Sequence, residues 1–216
     1  MLFRSPASEA ARAVSAGSVP ARVALRSSSF WLLSGAFFLA TAAAIGVTIQ
    51  GIPFLLERGY GTTFAAFAVG LIGISQIPGR LLFAPVGERL PEPWGTVALF
   101  ALIGAGIGLI VGIESTMTVV AGMVLLGMGN GMATLARATV IADRYGAAAY
   151  GTIAGVAAAA TIAARAAAPV AAAAYATVVG YGTLLYTLGA IATVAAVLAY
   201  AAERRPVTRS GHIAPA

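Results

Sequence analysis

A single cation stands where cations are costly: Arg165, between Thr161 and Pro169, falls near the middle of an apolar stretch running from 148 to 177. At the centre of a membrane-spanning helix an arginine costs on the order of 2.5 to 3.5 kcal/mol on insertion scales. The surroundings are mostly Ala, and Ile153, Val156, Ile162, Val170, Val178 and Val179 return roughly 0.3 to 0.6 kcal/mol each. These terms nearly cancel, so the segment should insert only with neighbours and keep Arg165 off lipid. A guanidinium facing a cavity at that depth suits a carboxylate, because its planar fork donates paired hydrogen bonds to two oxygens. Thr161 lies one turn away on the same face. The apolar stretches hold no Asp or Glu to neutralise Arg165. Pairing with a backbone carbonyl, or with a carboxylate of another helix or chain, is the structural alternative.

Other stretches carry polar residues in helical register. Asn130, Thr134 and Arg137 fall at i, i+4 and i+7, which aligns them along one helix face. Gln76 and Arg80 are four apart with Ser75 beside them, and Arg80 is near enough to the end of its stretch to snorkel. Thr41, Thr48 and Gln50 supply the first stretch's polar share, with Gln50 far round the helix from the other two. The candidate ligand contacts are therefore Arg165, Asn130, Gln76, Gln50 and Thr161, although helix-to-helix hydrogen bonding explains Asn130 and Gln76 about as well. Arg80, Glu88, Arg89, Arg137, Asp143 and Arg144 gather near the ends of the second and fourth stretches, where opposite charges can latch helices as a gate. Residue types argue against an enzyme: hydrolysis needs a nucleophile with a base, or a metal, and the apolar stretches contain no His, Cys, Asp or Glu. With no Cys and one His, His212, neither a metal centre nor a cofactor is expected.

The elements that must position these residues are membrane helices. Of the 216 residues 60% are hydrophobic and 9% charged, with mean hydropathy +0.92, against roughly 25% charged in a soluble domain. Six apolar stretches, at 30–55, 62–85, 95–112, 117–142, 148–177 and 183–202, approach or exceed the roughly 20 residues a spanning helix needs. Turn-forming or charged residues separate them: Glu57-Arg58-Gly59, Glu88 to Pro93, Glu114-Ser115, Asp143 to Gly146, and Gly180-Tyr181-Gly182. The fold class expected is all-α, a six-helix transmembrane domain over 30–202 between an arm at 1–29 and a tail at 203–216. A β-barrel would need alternating segments of about 10 residues, which are absent.

An even span count places both ends on one side of the bilayer. Eleven arginines lie on that side (Arg4, Arg12, Arg22, Arg26, Arg80, Arg89, Arg137, Arg144, Arg204, Arg205 and Arg209) and only Arg58 on the other. The positive-inside rule then puts both termini in the cytoplasm of a cell-membrane protein. The net charge of +6 and pI near 10.3 reflect this orientation signal, not a phosphate-binding patch, so no nucleic acid is expected. An Arg- and Ser-containing transit peptide is a rival interpretation of the arm. Gly104, Gly108 and Gly112, Gly127 and Gly131, and Gly151 and Gly155 recur at four-residue spacing, which lets helix backbones approach closely. The third stretch has no side chain more polar than Thr96 and fits a helix turned to lipid, leaving the first, second, fourth and fifth as the polar helices.

Gln76-Ile77-Pro78-Gly79-Arg80, then Pro85-Val86-Gly87-Glu88-Arg89, resembles the end of the eighth helix and the acidic-Arg loop of major facilitator superfamily transporters. Ala84 and Pro91 stand where that loop has glycines, and Glu92 where it has a basic residue. Gly127-Met128-Gly129-Asn130-Gly131, Asp143-Arg144-Tyr145-Gly146 and Tyr150-Gly151 are similar to the tenth helix and the entry to the eleventh. From Phe30 onward the chain resembles the C-terminal six-helix half of such a transporter, monocarboxylate and oxalate/formate-type members most. The resemblance implies a half-size secondary transporter subunit that moves a small organic anion by alternating access. It also implies a second six-helix half, or a homodimer, across the path, with residues 1–29 the remnant of a central linker. A truncated or accessory membrane protein without transport activity is the alternative.

Overall fold

The computed structural model describes residues 19–89 and 94–205, apart from the side chains of Val86 and Glu88. The first part of the arm, the turn from Leu90 to Pro93, the tail from 206 and the Glu88 carboxylate lie outside the described residues. Every regular element among the described residues is helical. A short α1 (Ala21–Arg26) precedes α2 (Ser28–Glu57), α3 (Thr62–Arg89), α4 (Trp94–Gly112) and α5 (Thr116–Tyr145), and a last helical run covers Tyr150–Glu203. If straight, its 54 residues would reach about 81 Å, against roughly 30 Å of hydrocarbon. Gly180 breaks it at φ 81, ψ 160, a conformation essentially confined to glycine. The chain turns back there, giving α6 (150–179) and α7 (181–203), and α2 to α7 make the six spans that the apolar stretches require. The other two positive-φ residues, Gly59 and Gly146, also stand in breaks marked by the sequence.

α2 and α7 run antiparallel. Gly46 opposes Leu188, Gly35 opposes Leu198, and Ser29 Oγ donates to the Ala202 carbonyl at 2.9 Å. Both ends of the six-helix unit therefore lie at one end of the bundle, called proximal below. There the later part of the arm packs onto the bundle: the Val19 N–H donates to Tyr145 O at 2.9 Å. Val19 and Ala24 are buried with Phe30, Ile141, Tyr145, Ile153 and Ala157. At the distal end Arg58 joins two helices, donating to the Val111 carbonyl of α4 at 3.0 Å while lying 4.7 Å from the centroid of the Phe54 ring.

Glycines clasp α5 between two neighbours. A Cβ at Gly127 or Gly131 would stand 2.5 or 2.4 Å from the backbone oxygen of Ile72 or Gln76 in α3. On the α4 side Gly106 and Gly122 meet backbone to backbone, and Gly129 faces Leu99 and Ile103. Such approaches maximise packing where lipid supplies no hydrophobic drive between helices. The expected Gly127/Gly131 pair acts this way, and Gly104 meets Ala192 and Thr193 more loosely, whereas Gly108, Gly112, Gly151 and Gly155 face open space.

The third span does not simply turn to lipid. α4 packs against α5 and α7 with Leu99, Phe100, Ile103, Ile107 and Ile110 buried, and a larger share of it lies inside the bundle than of α3. The physical reason is that a helix without polar side chains suits an apolar protein neighbour as well as it suits lipid.

Candidate binding site

Three helices converge on one polar cleft. α2 contributes Phe37 and Thr41, α5 contributes Asn130, Ala133, Thr134 and Arg137, and α6 contributes Thr161 and Arg165. The α5 residues fall on one stripe because their spacing follows the helical repeat, and Thr161 and Arg165 share a face of α6 for the same reason. Phe37 is held from behind by an edge-to-face contact with Phe100 of α4, ring centroids 5.1 Å apart.

Two guanidiniums meet in this cleft. Arg137 Nη1 donates to Thr161 Oγ1, and the Thr161 hydroxyl donates onward to the Ala158 carbonyl at 2.9 Å. Thr161 is 3% exposed, so this bond locks the α5–α6 contact at the base of the cleft. Arg165, one turn farther along α6, is exposed and makes no hydrogen bond or ion pair among the described residues. It lines the same cleft as Arg137, so two like charges share one poorly solvated space and repel. Among the described residues no acidic side chain lines the cleft. A concave surface with two cations, an amide and hydroxyls, and no counter-charge, is complementary to an anion.

The other candidates sit elsewhere. Gln50 is buried in α2, about 13 Å along the helix axis from Thr41 toward the distal end. Gln76 is half-buried in α3, its backbone against Gly131. The proximal charges do not gather into a latch among the described residues. Arg137 turns into the cleft, and Arg80, Arg89 and Asp143 are exposed. Arg144 Nη2 donates to the Ala202, Glu203 and Arg205 carbonyls at 2.8, 3.3 and 3.3 Å. It thereby satisfies acceptors that the end of α7 leaves open. Consecutive helical residues point about 100° apart, so Asp143 cannot follow Arg144 into that contact.

The Major Facilitator Superfamily sequence model matches residues 1–169. The chain belongs to the major facilitator superfamily. The match extends to Pro169 and so takes in every residue lining the cleft, from Phe37 to Arg165. No curated protein matches the chain. Members of the superfamily are transporters rather than enzymes, and the fold here is a multi-pass membrane fold of that secondary-transporter type. Phe37 and Ala133 line the cleft without having been singled out in the sequence, and Thr41, Thr134 and Arg137 line it without having been candidate ligand contacts. For Phe37 the available signal was its four-residue spacing from Thr41.

Proposed function

We propose that this chain supplies one wall of an alternating-access path for a small organic anion, with Arg165 as the principal contact for the solute's anionic group. The observation that carries it is an exposed guanidinium midway along a membrane helix, in a cleft that no carboxylate of the described residues lines. Such a charge is too costly to leave against hydrocarbon. Asn130 and Thr161 join Arg165 at the solute. Gln76 and Gln50 belong to later stages of the path, and Arg80, Glu88, Arg89, Asp143 and Arg144 to the cytoplasmic side of the protein, where both termini lie, whereas Arg137, from the same charge group in the sequence, lines the cleft. A second six-helix unit faces the cleft. In support, the cleft's cations, amide and hydroxyls would otherwise meet hydrocarbon. The resemblance of the chain to monocarboxylate and oxalate/formate-type members points to the same solute class.

The test is uptake of labelled organic anions into proteoliposomes carrying this chain with its six-helix partner. Arg165→Ala should abolish saturable uptake with expression intact, and Arg165→Lys should weaken it by loss of the paired geometry. Normal uptake by Arg165→Ala would refute the assignment.

A further inference from the structure

Arg137 lies in the stripe of α5 that runs toward the proximal end, and charge alone groups it with the other proximal arginines. The structure turns it the other way, into the cleft, where it binds Thr161 and lines the same surface as Arg165. Thr161, which holds the Arg137 guanidinium, and Arg165 are one helical turn apart, about 6 Å along the axis of α6, so the two cationic side chains enter one cleft from anchor points a turn apart. Neither has an acidic partner there among the described residues, and two like charges in one poorly solvated cleft repel. A solute with one carboxylate neutralises one of them and leaves the second unpaired. A short solute with two carboxylates pairs with both and relieves their repulsion. We propose that Arg137 is a second anion-binding residue and that the cleft selects dicarboxylates over monocarboxylates of equal length.

This rests on the anion assignment above, and Thr161 defines the state without solute. Arg137 is parked on a neutral hydroxyl, a weaker acceptor than a carboxylate, so an arriving anion can recruit it. The guanidinium is thus held in the cleft between binding events and is not free to snorkel toward the proximal surface.

The experiment compares succinate with butyrate, and malonate with propionate, as competitors and as directly titrated ligands of the reconstituted assembly. The unsubstituted protein should prefer each dicarboxylate by about ten- to a hundredfold, the range expected for one added charge-assisted contact. Arg137→Gln keeps a donor for Thr161 but removes the charge. It should bring succinate down to near the affinity of butyrate, with succinate losing about ten- to a hundredfold and butyrate, which loses only part of the cleft's positive field, losing much less. Arg137→Lys should restore part of the preference, which covers the case in which Arg137→Gln fails to assemble. Arg165→Gln should weaken both members of each pair. Equal loss of succinate and butyrate in Arg137→Gln, or an unchanged ratio between them, would reduce Arg137 to a structural tie on Thr161 and overturn the proposal. If the unsubstituted protein binds none of the four, the anion assignment itself fails. If it binds all four without preference, only the selectivity inference fails.

Discussion

Gly131→Ala tests whether the α3–α5 crossing is set by backbone contact. A Cβ at this position would stand 2.4 Å from the Gln76 carbonyl oxygen, 2.9 Å from its Cα and 3.0 Å from its carbonyl carbon. All three atoms are backbone, so no side-chain rotation relieves the clash, and ordinary contact at about 3.4 Å requires the helices to separate by roughly 1 Å. Overpacking of this kind costs about 1 to 3 kcal/mol. The better helix propensity of Ala offsets at most about 1 kcal/mol of that. Gly155→Ala is the matched control, because a Cβ there meets nothing within 4 Å. Unfolding of the purified protein in mixed micelles, followed by circular dichroism against added denaturing detergent, should show Gly131→Ala destabilised and Gly155→Ala unchanged or slightly stabilised. The separation also shifts Asn130, the adjacent residue in the cleft, so solute affinity should fall with stability. Equal stability of the two variants would refute the backbone-contact geometry.

Three further outcomes are expected. Arg58→Ala removes the charge-assisted bond to the Val111 carbonyl and the contact with Phe54, and should destabilise the distal end by about 1.5 to 3 kcal/mol. Glu114→Gln, at the exposed end of a 3.9 Å pair, should change stability by less than about 1 kcal/mol, and the same detergent titration compares them. Gly180→Ala forces a β-carbon into φ 81, ψ 160 and should cost about 1 to 3 kcal/mol, read as lower yield of folded protein in size-exclusion chromatography. For topology, single cysteines at Ala10→Cys and Ser210→Cys should react with an impermeant thiol reagent only from the cytoplasmic side, and Gly61→Cys only from outside. Labelling of the two termini from opposite sides would contradict the close approach of Ser29 to Ala202 at one end of the bundle.

Membrane residence, the count of six spans and the register of the polar stripes were legible without coordinates. All three follow from local quantities: apolar run length against bilayer thickness, glycines and charges at the breaks, and the 3.6-residue period that aligns Asn130, Thr134 and Arg137. The pairing of Thr161 with Arg165 on one face was equally local. What no periodicity contains is which stripe faces which. Arg137 belonged equally to a cleft stripe and to a proximal charge cluster until α6 placed Thr161 opposite it. Gln76 and Asn130 were equal candidates until Gly131 set its backbone against Gln76, with only Asn130 lining the cleft. The Gly106–Gly122 contact joins two helices at a spacing that marks neither. Apolar α4 offered no means of telling lipid from protein, since both present hydrocarbon to it. Helix rotation and neighbour choice are decided by packing between segments distant in sequence, and a lone helix in lipid carries no energy term that chooses among them.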